Sequence, residues 1–542
     1  MTKNNLLMKF RDHIKNMSVY FSSQNIFLFL GVLIIFFVAL KSPTDPDMGW
    51  HLADGKYLLN HHLEVARYDI FSHSMADFPL IMHEWITDIW MFAVSRYLNL
   101  FILSIIFAII TTFAFLLATL GVKAKLEYKV AAAILAAIAS LPVTGVRPQM
   151  ITLLGLALVI YIVFQFRKNP DTKIIYFLPL IFWAWVNFHG GFAVGLFFIA
   201  VFLAVEAAKR MLIFGMRKCR AWLETYREFS EKNVFYERHP VFWARIFQSN
   251  LFSKFRRMLE GNTLALGKIA KLGILLLASI LATLANPYGW RVYIEVITTI
   301  FDKYAKQNIG EWLPVTAANP MSWQFLIYLT LLGILLLFSW HRLDYTYFLV
   351  ALPFLYLGFT SWRHMPVFLI ISTPFWVYIV ETITGGELEK IMRRKWFLAL
   401  MVLAVFLIAR QQIPPVWKTS FSIERLARDG GYPIGAVKYI RENSVPGNMF
   451  NEYNWGGFLI WQLPEKKVFI DGRMPSWRVD SFSIFEEFNN TVRYNEGWEK
   501  TLEKYNIGFA VLYGNWLNDA AFSKIGWKKV YSDNLASVYQ KP

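Results

Sequence analysis

The chain has 542 residues, of which 56% are hydrophobic and 17% are aromatic, and its formal net charge at pH 7 is +17. Because a soluble chain of this length divides into domains with polar surfaces, this composition excludes a single soluble core and indicates a polytopic α-helical membrane protein. The Lys and Arg residues concentrate between the apolar runs, which argues against nucleic acid as a partner and makes the charge a determinant of membrane topology. The single cysteine, Cys219, excludes an intrachain disulfide and a Cys-rich metal site.

The apolar runs, taken in chain order, predict about eleven transmembrane helices. The second run is either one long helix or two broken helices, and several of the other runs are short. The predicted spans are 25–41, 89–121, 129–144, 149–166, 174–188, 191–208, 269–285, 323–340, 344–359, 365–382 and 396–411.

The basic loops predict the orientation of these helices. The N-terminal leader and the loops near 123–129, 167–168, 209–268, 341–342 and 390–395 are basic, and all lie on one side if 89–121 crosses once. The positive-inside rule places that side in the cytoplasm, so we expect a multi-pass protein of the plasma (inner) membrane with a cytoplasmic N-terminus. The segment 209–268 mixes basic and aromatic residues, which is typical of amphipathic helices on an anionic leaflet.

Two domains are predicted, a transmembrane domain at 1–411 and an extracytoplasmic domain at 412–542. In the second domain, helices at 433–443 and 498–505 alternate with short apolar strands. The predicted strands are 468–471, 509–513 and 537–540. This alternation indicates a small α/β domain packed on the membrane part.

The outer side collects the unusual polar motifs of the membrane domain. The first outer loop, 43–85, begins with Asp45-Pro-Asp47 and ends with His83-Glu84-Trp85. The other motifs on this side are Arg147-Pro148, Asn187-Phe-His189-Gly190, Asn286-Pro-Tyr-Gly289, Glu311-Trp312 and Arg363-His364. Since the loop Lys and Arg residues set the orientation independently of these motifs, their convergence predicts an active site that faces away from the cytoplasm.

As a set, these motifs resemble the GT-C superfamily of integral membrane glycosyltransferases. The sequence is similar to an uncharacterised prokaryotic branch with the pattern Asp-x-Asp-x-x-Trp-His-Leu-x-x-Gly, here at 45–55, followed by the motifs above and by Asp-Gly-Arg at 471–473. It is distantly similar to oligosaccharyltransferase catalytic subunits. Each motif is weak alone, whereas the set is specific. The resemblance covers the whole chain as an architecture.

The resemblance implies an inverting transfer of a sugar from a polyprenyl-phosphate or diphosphate carrier to a glycan, lipid or protein acceptor at the outer face of the bilayer. It gives Asp47 the role of general base, because the second acid carries that role in similar oligosaccharyltransferase subunits. Asp45 would orient Asp47 or help to bind a divalent cation, Mg²⁺ or Mn²⁺. The alternative is a turn or helix cap, since Asp is favoured at such positions.

Cationic side chains at the outer helix ends are candidates for the donor phosphate. Arg147, Arg363 and His364 lie where a lipid headgroup would sit, and Arg binds phosphate oxygens in a bidentate manner. The alternative for each Arg is an interfacial anchor. His189 is a candidate sugar contact, although Gly190 beside it is also explained by a turn.

Three further positions are predicted to contact the sugar or the acceptor. His51 follows the acidic pair, Glu84-Trp85 begins the second helix, and Glu311-Trp312 repeats the pairing of an acid with an aromatic ring. Glu84 is also a candidate metal ligand together with Asp45 and Asp47, but two or three acids do not by themselves complete a coordination shell, so metal dependence stays open. A helix-dipole role for Glu84 and an interfacial role for Trp85 are the alternatives.

The tail sets limits on the acceptor. The stretch 451–461 lies where oligosaccharyltransferases carry Trp-Trp-Asp-Tyr-Gly, and the double Trp and the Asp are replaced here. An oligosaccharyltransferase-like protein glycosylation enzyme is therefore the alternative function, and a lipid or polysaccharide transporter is another. A transporter places ionisable groups near the bilayer midplane, whereas these apolar runs are nearly free of acids. A turn is favoured over a substrate contact for Asp471-Gly-Arg473.

Overall fold

The computed structural model describes residues 22–232, 259 and 263–542. The N-terminal leader lies outside these residues, as do the basic residues between Arg245 and Arg257. The helices before the C-terminal domain are numbered here over the described part of the chain. They are α1 (Ser23–Ala39), α2 (Met48–Asn60), α3 (Trp85–Tyr97), α4 (Leu100–Leu120), α5 (Leu126–Ala139), α6 (Gln149–Lys168), α7 (Leu178–Phe188), α8 (Phe192–Lys232), α9 (Leu266–Thr283), α10 (Arg291–Phe301), α11 (Lys303–Asn308), α12 (Trp323–Ser339), α13 (Tyr345–Thr360), α14 (Met365–Thr384), α15 (Glu387–Met392) and α16 (Lys395–Phe421).

Each predicted apolar run contains a helix, and the chain is a multi-pass membrane protein. Among the described residues, seven helices are long and apolar enough to cross a bilayer, and three shorter apolar helices accompany them. Helix α5 is shorter still, with 14 residues. The predicted count of eleven spans is therefore not confirmed, because length and hydropathy alone support fewer crossings.

The run 89–121 is two helices. Helix α3 ends at Tyr97, and the Asn99 side chain accepts a hydrogen bond from the Ile102 amide at 2.9 Å, which caps the start of α4. Helix α3 packs mainly along α2, in the first outer loop. Of the two forms predicted for this run, the broken one is correct, and only α4 is long enough to cross.

Charged groups separate the two ends of the helix bundle. At one end, Arg167 pairs with Asp344 at 2.8 Å, and Arg393 pairs with Glu127. At the other end, Arg147 lies just before the start of α6, whereas Arg167 lies in the last turn of the same helix. The two ends of α6 are about 30 Å apart at 1.5 Å per residue. Among the described residues, the basic loops near 123–129, 167–168 and 390–395 thus lie at the opposite end from Arg147.

Two helices extend beyond the predicted apolar runs. Helix α16 runs to Phe421, past the end of the run at 411, because the polar residues after Arg410 end the apolar run without ending the helix. Helix α8 continues to Lys232, so the basic segment that starts at 209 begins as helix. Hydropathy identifies the apolar part of a helix and does not detect a polar extension of it.

The C-terminal domain is α/β, as predicted. Its elements are α17 (Ile423–Gly430), α18 (Ile434–Glu442), β1 (Asn448–Asn451), α19 (Gly456–Gln462), β2 (Arg478–Val479), β3 (Phe482–Ser483), α20 (Ile484–Val492), α21 (Trp498–Lys504), β4 (Ile507–Tyr513), α22 (Trp516–Lys524), β5 (Lys528–Ser532) and β6 (Ala536–Gln540). The main sheet has the order β1-β4-β6-β5, with β1 parallel to β4 and the other pairs antiparallel. The short strands β2 and β3 form a separate hairpin.

The predicted strand 468–471 is not part of the main sheet. Its backbone pairs with the first outer loop instead, because the Val468 amide donates to Phe71 O at 3.0 Å and the His73 amide donates to Val468 O at 3.1 Å. The polar backbone of this buried segment is thereby satisfied without a sheet neighbour. The same contact ties the tail to the membrane domain.

A shared hydrophobic core fixes the C-terminal domain on the first outer loop. It combines Met75 and Leu80 of the loop with Phe469 and Trp477 of the tail. At Gly49 in α2, a Cβ atom would lie 2.1 Å from Gly457 O, so the backbones of α2 and α19 touch. Residues from both domains can therefore form one site.

Candidate functional site

A cavity of about 560 Å³ lies at the outer-motif end of the bundle, beneath the C-terminal domain. The membrane domain contributes α2, α10 and the loops between its helices, and the tail contributes 453–454, 472–473 and 475–477. Nine of the eleven predicted site residues line it. They are Asp47, His51, Glu84, Arg147, His189, Glu311, Trp312, Arg363 and His364.

The acidic pair, Asp45 and Asp47, lies at the start of α2, and the two carboxylates accept hydrogen bonds from different groups. Asp45 Oδ1 accepts a hydrogen bond from the Asp47 amide at 3.0 Å, which is a local turn. Asp47 makes no capping hydrogen bond to the helix, and its Oδ1 accepts from Trp50 Nε1 at 3.1 Å. The turn alternative therefore describes Asp45, whereas the Asp47 carboxylate faces the cavity.

The surroundings of Asp47 favour its protonated form relative to an exposed carboxylate. Burial raises the pKa of Asp47 to about 7, the nearby charge of Asp45 adds to the rise, and Arg147 opposes it. The pKa of Asp45 is raised as well, by burial and by Glu311, against the Arg147 charge. A carboxylate whose pKa is near neutrality can accept a proton at physiological pH and release it again.

Arg147 connects the acidic pair to Glu311. Its Nε lies 3.0 Å from Asp45 Oδ2, and its two terminal nitrogens lie 2.5 and 3.3 Å from the Glu311 carboxylate oxygens. Asp45 sits behind Arg147 and does not line the cavity itself. The guanidinium of Arg147 is thus already engaged by two carboxylates.

Arg363 and His364 occupy another part of the cavity wall. The Arg363 guanidinium lies over the Trp312 ring, 5.4 Å from its centre, and forms no ion pair within the described part of the chain. The His364 ring lies edge-on to the Trp312 ring, with the two ring centres 5.9 Å apart. Arg363 and His364 together offer a cation beside an imidazole that can form hydrogen bonds.

A second polar cluster is built around Glu84. Its carboxylate lies 3.0 Å from His189 Nε2 and 3.4 Å from His51 Nδ1, which is also 2.7 Å from Asp88 Oδ1. Burial alone would raise the pKa of Glu84, but the contacts with His51, His189 and His83 outweigh burial and hold the pKa below its usual range. Glu84 is therefore an ionised group on the cavity wall.

The predicted metal ligands are not brought together. Within the described residues, the His51, Glu84 and Asp88 ligand atoms lie within 4.8 Å of one another, which is compatible with a divalent cation. Asp45 and Asp47 do not belong to this group, and Arg147 fills the space beside Asp45. The structure places Asp45 and Asp47 in one cluster and Glu84 in another, a difference that the sequence could not show because all three residues are acids in one loop.

Trp85 lies outside the cavity. Its Nε1 donates to Asn187 Oδ1 at 3.0 Å, and its ring packs against the core shared by the outer loop and the tail. Its position is that of a structural aromatic residue whose polar edge is satisfied by an amide.

Several lining residues were missed or assigned only a turn. Asp88 follows Glu84 by one helical turn, and this spacing was the available signal. Arg473 pairs with Asp471 at 2.7 Å and with Asp69 at 3.0 Å, and its amide donates to Asp471 Oδ1 at 2.9 Å. The favoured turn is present, and it also brings Gly472 against the acidic pair. A Cβ atom on Gly472 would lie 1.9 Å from Asp47 Oδ1.

Comparisons with known proteins place the fold. No family model matches the sequence, and no curated protein matches it. The archaeal oligosaccharyltransferase AglB from Archaeoglobus fulgidus, in complex with an inhibitory peptide and a dolichol-phosphate, has a similar structure, with 12% identity, a TM-score of 0.51, and coverage of 90% of this chain and 69% of that chain. A crystal structure of the Archaeoglobus fulgidus oligosaccharyltransferase with Zn and sulfate is also 12% identical, with a TM-score of 0.44 and coverage of 90% and 68%.

The likeness to AglB shows that this chain shares the fold of that protein. The fold that the sequence motifs implied, a GT-C-like one, is thereby confirmed. At 12% identity, the roles of single residues rest on the geometry of this cavity.

Proposed function

We propose that this protein is an inverting membrane glycosyltransferase that moves a sugar from a polyprenyl-phosphate or diphosphate carrier to an acceptor hydroxyl at the outer face of the membrane. The observation that carries the proposal is the cavity itself. It holds an acid with a pKa near 7, Asp47, and a cation without a carboxylate partner among the described residues, Arg363. Inverting transfer needs a base for the acceptor and a positive group for the departing phosphate.

Asp47 is the proposed general base. In the transfer step the acceptor oxygen bonds to the anomeric carbon, and its proton passes to the Asp47 carboxylate. The bond between the anomeric carbon and the phosphate oxygen breaks, and the phosphate leaves with the electron pair. The hydrogen bond from Trp50 orients the Asp47 carboxylate, so that one oxygen remains directed at the acceptor.

Arg363 and His364 are the proposed contacts of the departing phosphate. A guanidinium can bind two phosphate oxygens at once, and an imidazole can donate one further hydrogen bond. Arg147 was predicted to share this role. Because Asp45 and Glu311 already engage its guanidinium, we assign the primary phosphate contact to Arg363.

The sugar and the acceptor are proposed to lie along the remaining wall. Glu84 and His51 offer hydrogen-bonding groups, His189 adds a further donor or acceptor, and the Trp312 ring beside Glu311 offers a face for a pyranose. A divalent cation held by His51, Glu84 and Asp88 would add positive charge at that wall.

The acceptor is proposed to be a glycan, a lipid or a protein that is not recognised through a glycosylation sequon. AglB was captured with a peptide, but the tail of this chain is built differently from the peptide-reading motif. Trp455 is 1% exposed, and its Nε1 donates to Gly431 O at 2.9 Å. A buried Trp in this position supports the domain core and presents no surface to a peptide.

Replacement of Asp47 tests the enzyme assignment. Asp47→Asn keeps the size and the hydrogen bond from Trp50 but removes the proton affinity, so turnover with a polyprenyl-linked sugar in detergent should fall by roughly a hundredfold or more. Donor binding should change little. If Asp47→Asn is fully active and Asp45→Asn is inactive, the base is Asp45. If both folded variants are fully active, the glycosyltransferase proposal is wrong, and a transporter takes its place.

The orientation is also a proposal, with 43–85 and the C-terminal domain outside the cytoplasm. The native Cys219, in α8, and a cysteine introduced at the exposed Ser523 should react with an impermeant thiol reagent from opposite sides of intact cells. The Ser523→Cys variant carries Cys219→Ser so that each protein has one thiol. Labelling of both thiols from the same side would contradict the topology.

A further inference from the structure

Two carboxylates meet at one buried guanidinium, and a third lies near it. Arg147 is 8% exposed, and it binds Asp45 through Nε and Glu311 through both terminal nitrogens. Asp47, the neighbour of Asp45, lies close enough for the Arg147 charge to oppose the effect of burial on its pKa. One cation thus contacts acids from two loops that are distant in sequence, Asp45 and Glu311.

A cation is required at this point for electrostatic reasons. Carboxylates removed from water lose their hydration, and those placed side by side repel one another, so the charged forms persist only with a positive partner. A divalent metal ion held by carboxylate oxygens is one such partner. A guanidinium is another, and its planar fork of five donors binds several carboxylate oxygens in fixed directions.

These two partners exclude each other at this position. Oxygen ligands of Mg²⁺ and Ca²⁺ lie about 2.0 to 2.6 Å from the ion, so a metal shared by Asp45 and Glu311 would need the volume between their carboxylates. The Arg147 guanidinium fills that volume, at 3.0 Å from Asp45 and 2.5 Å from Glu311. The residues around Asp45 therefore do not fit a divalent cation while Arg147 is in place.

We infer that Arg147 is the built-in cation of the acidic centre and takes the place of a divalent metal between Asp45 and Glu311. Arg147 is a positioning residue. It holds Asp45 and Glu311 and sets the charge beside Asp47. The role of Asp47 as base rests on the proposed function, but the exclusion of a metal by the guanidinium does not. The separate cluster of His51, Glu84 and Asp88 is unaffected by this assignment.

Manganese binding tests the inference without any sugar transfer. The full-length protein in detergent is saturated with Mn²⁺, and the bound metal is counted per chain by electron paramagnetic resonance and elemental analysis. Arg147→Ala opens the space between the carboxylates, so this variant should bind one Mn²⁺ more than the wild type. The double variant Arg147→Ala/Glu311→Gln should lose the added ion. Any Mn²⁺ held by His51, Glu84 and Asp88 is common to all three proteins and cancels.

Two results would overturn the inference. One is a folded Arg147→Ala protein that binds no additional Mn²⁺. The other is a wild-type protein that loses a Mn²⁺ ion on Asp45→Asn or Glu311→Gln, because a metal would then already be present beside Arg147. The second measurement decides the matter if Arg147→Ala does not fold.

A conservative variant separates charge from shape. Arg147→Lys keeps one positive charge but not the fork, so it should gain no Mn²⁺, and its transfer rate should fall, with a shift in the pH profile. A gain of Mn²⁺ in Arg147→Lys equal to that of Arg147→Ala would show that a positive charge at this position does not take the place of the ion, which contradicts the inferred role of Arg147 as the built-in cation. Loss of activity in Asp47→Asn tests the base, so failure of the proposed function and failure of this inference give different results.

Discussion

Replacing Gly472 with alanine moves the proposed base without changing any polar group. The nearest atom to a Cβ at this position is Asp47 Oδ1, at 1.9 Å, and the next is the Asp47 carboxyl carbon at 3.1 Å. An ordinary contact begins at 3.4 Å, so the carboxylate must shift by about 1.5 Å or the tail must withdraw by a similar distance. A shift of the carboxylate breaks the hydrogen bond that Trp50 donates to the same oxygen.

The expected loss follows from this displacement. A misplacement of about 1 Å in a reacting group can cost about a hundredfold in rate, so we expect Gly472→Ala to lower kcat by roughly a hundredfold. The lost hydrogen bond should lower the stability by only about 1 kcal/mol. The assay is single-turnover transfer from a polyprenyl-linked sugar at saturating donor, with thermal unfolding measured on the same preparation.

Gly514→Ala in the same domain is the matched control, because the nearest atoms to its Cβ lie at 3.4 Å. This variant should retain wild-type kcat and stability. Wild-type kcat in a folded Gly472→Ala protein would refute the reasoning, since the tail would then not constrain the carboxylate that performs the chemistry.

Three other predictions concern single groups of the site. The pKa of Asp47 is raised to about 7, and the proposed base must be deprotonated to act. We therefore expect log(kcat/KM) to rise with a slope of about one as the pH increases toward 7 and then to level off. A flat profile below pH 7 would argue for another base. Arg363→Gln should raise KM for the lipid-linked donor by at least about tenfold, because a charged hydrogen bond contributes about 1.5–3 kcal/mol, whereas an unchanged KM would place the phosphate elsewhere. Trp85→Phe should leave the transfer rate unchanged and should lower the free energy of unfolding by about 1 kcal/mol, because the hydrogen bond from Trp85 to Asn187 is lost. A large loss of transfer activity in a folded Trp85→Phe protein would contradict the position of Trp85 outside the cavity.

Local patterns in the sequence determined the class of protein and much of the outline. Hydropathy located the apolar helices, because burial in lipid requires an apolar run wherever the helix lies in the fold. The basic loops predicted which helix ends lie together, because Lys and Arg are concentrated in the loops on one side of a membrane protein. The polar motifs were found as candidates, since residues such as Asp45, Arg147 and Arg363 are unusual beside long apolar runs. Polar extensions such as the end of α16 were lost, because no local apolar signal marks them.

Only the tertiary structure decided what these candidates do. Arg147 and Arg363 are equivalent as sequence signals, yet Arg147 is bound by Glu311, 164 positions away, while Arg363 lies against an aromatic ring. Gly472 reads as a turn residue, and only the packing of the tail on α2 brings it against Asp47. Such pairings depend on how the helices and the tail pack in three dimensions. The protonation and the available contacts of a charged side chain depend on the groups around it, and the local sequence does not show which distant residues those are.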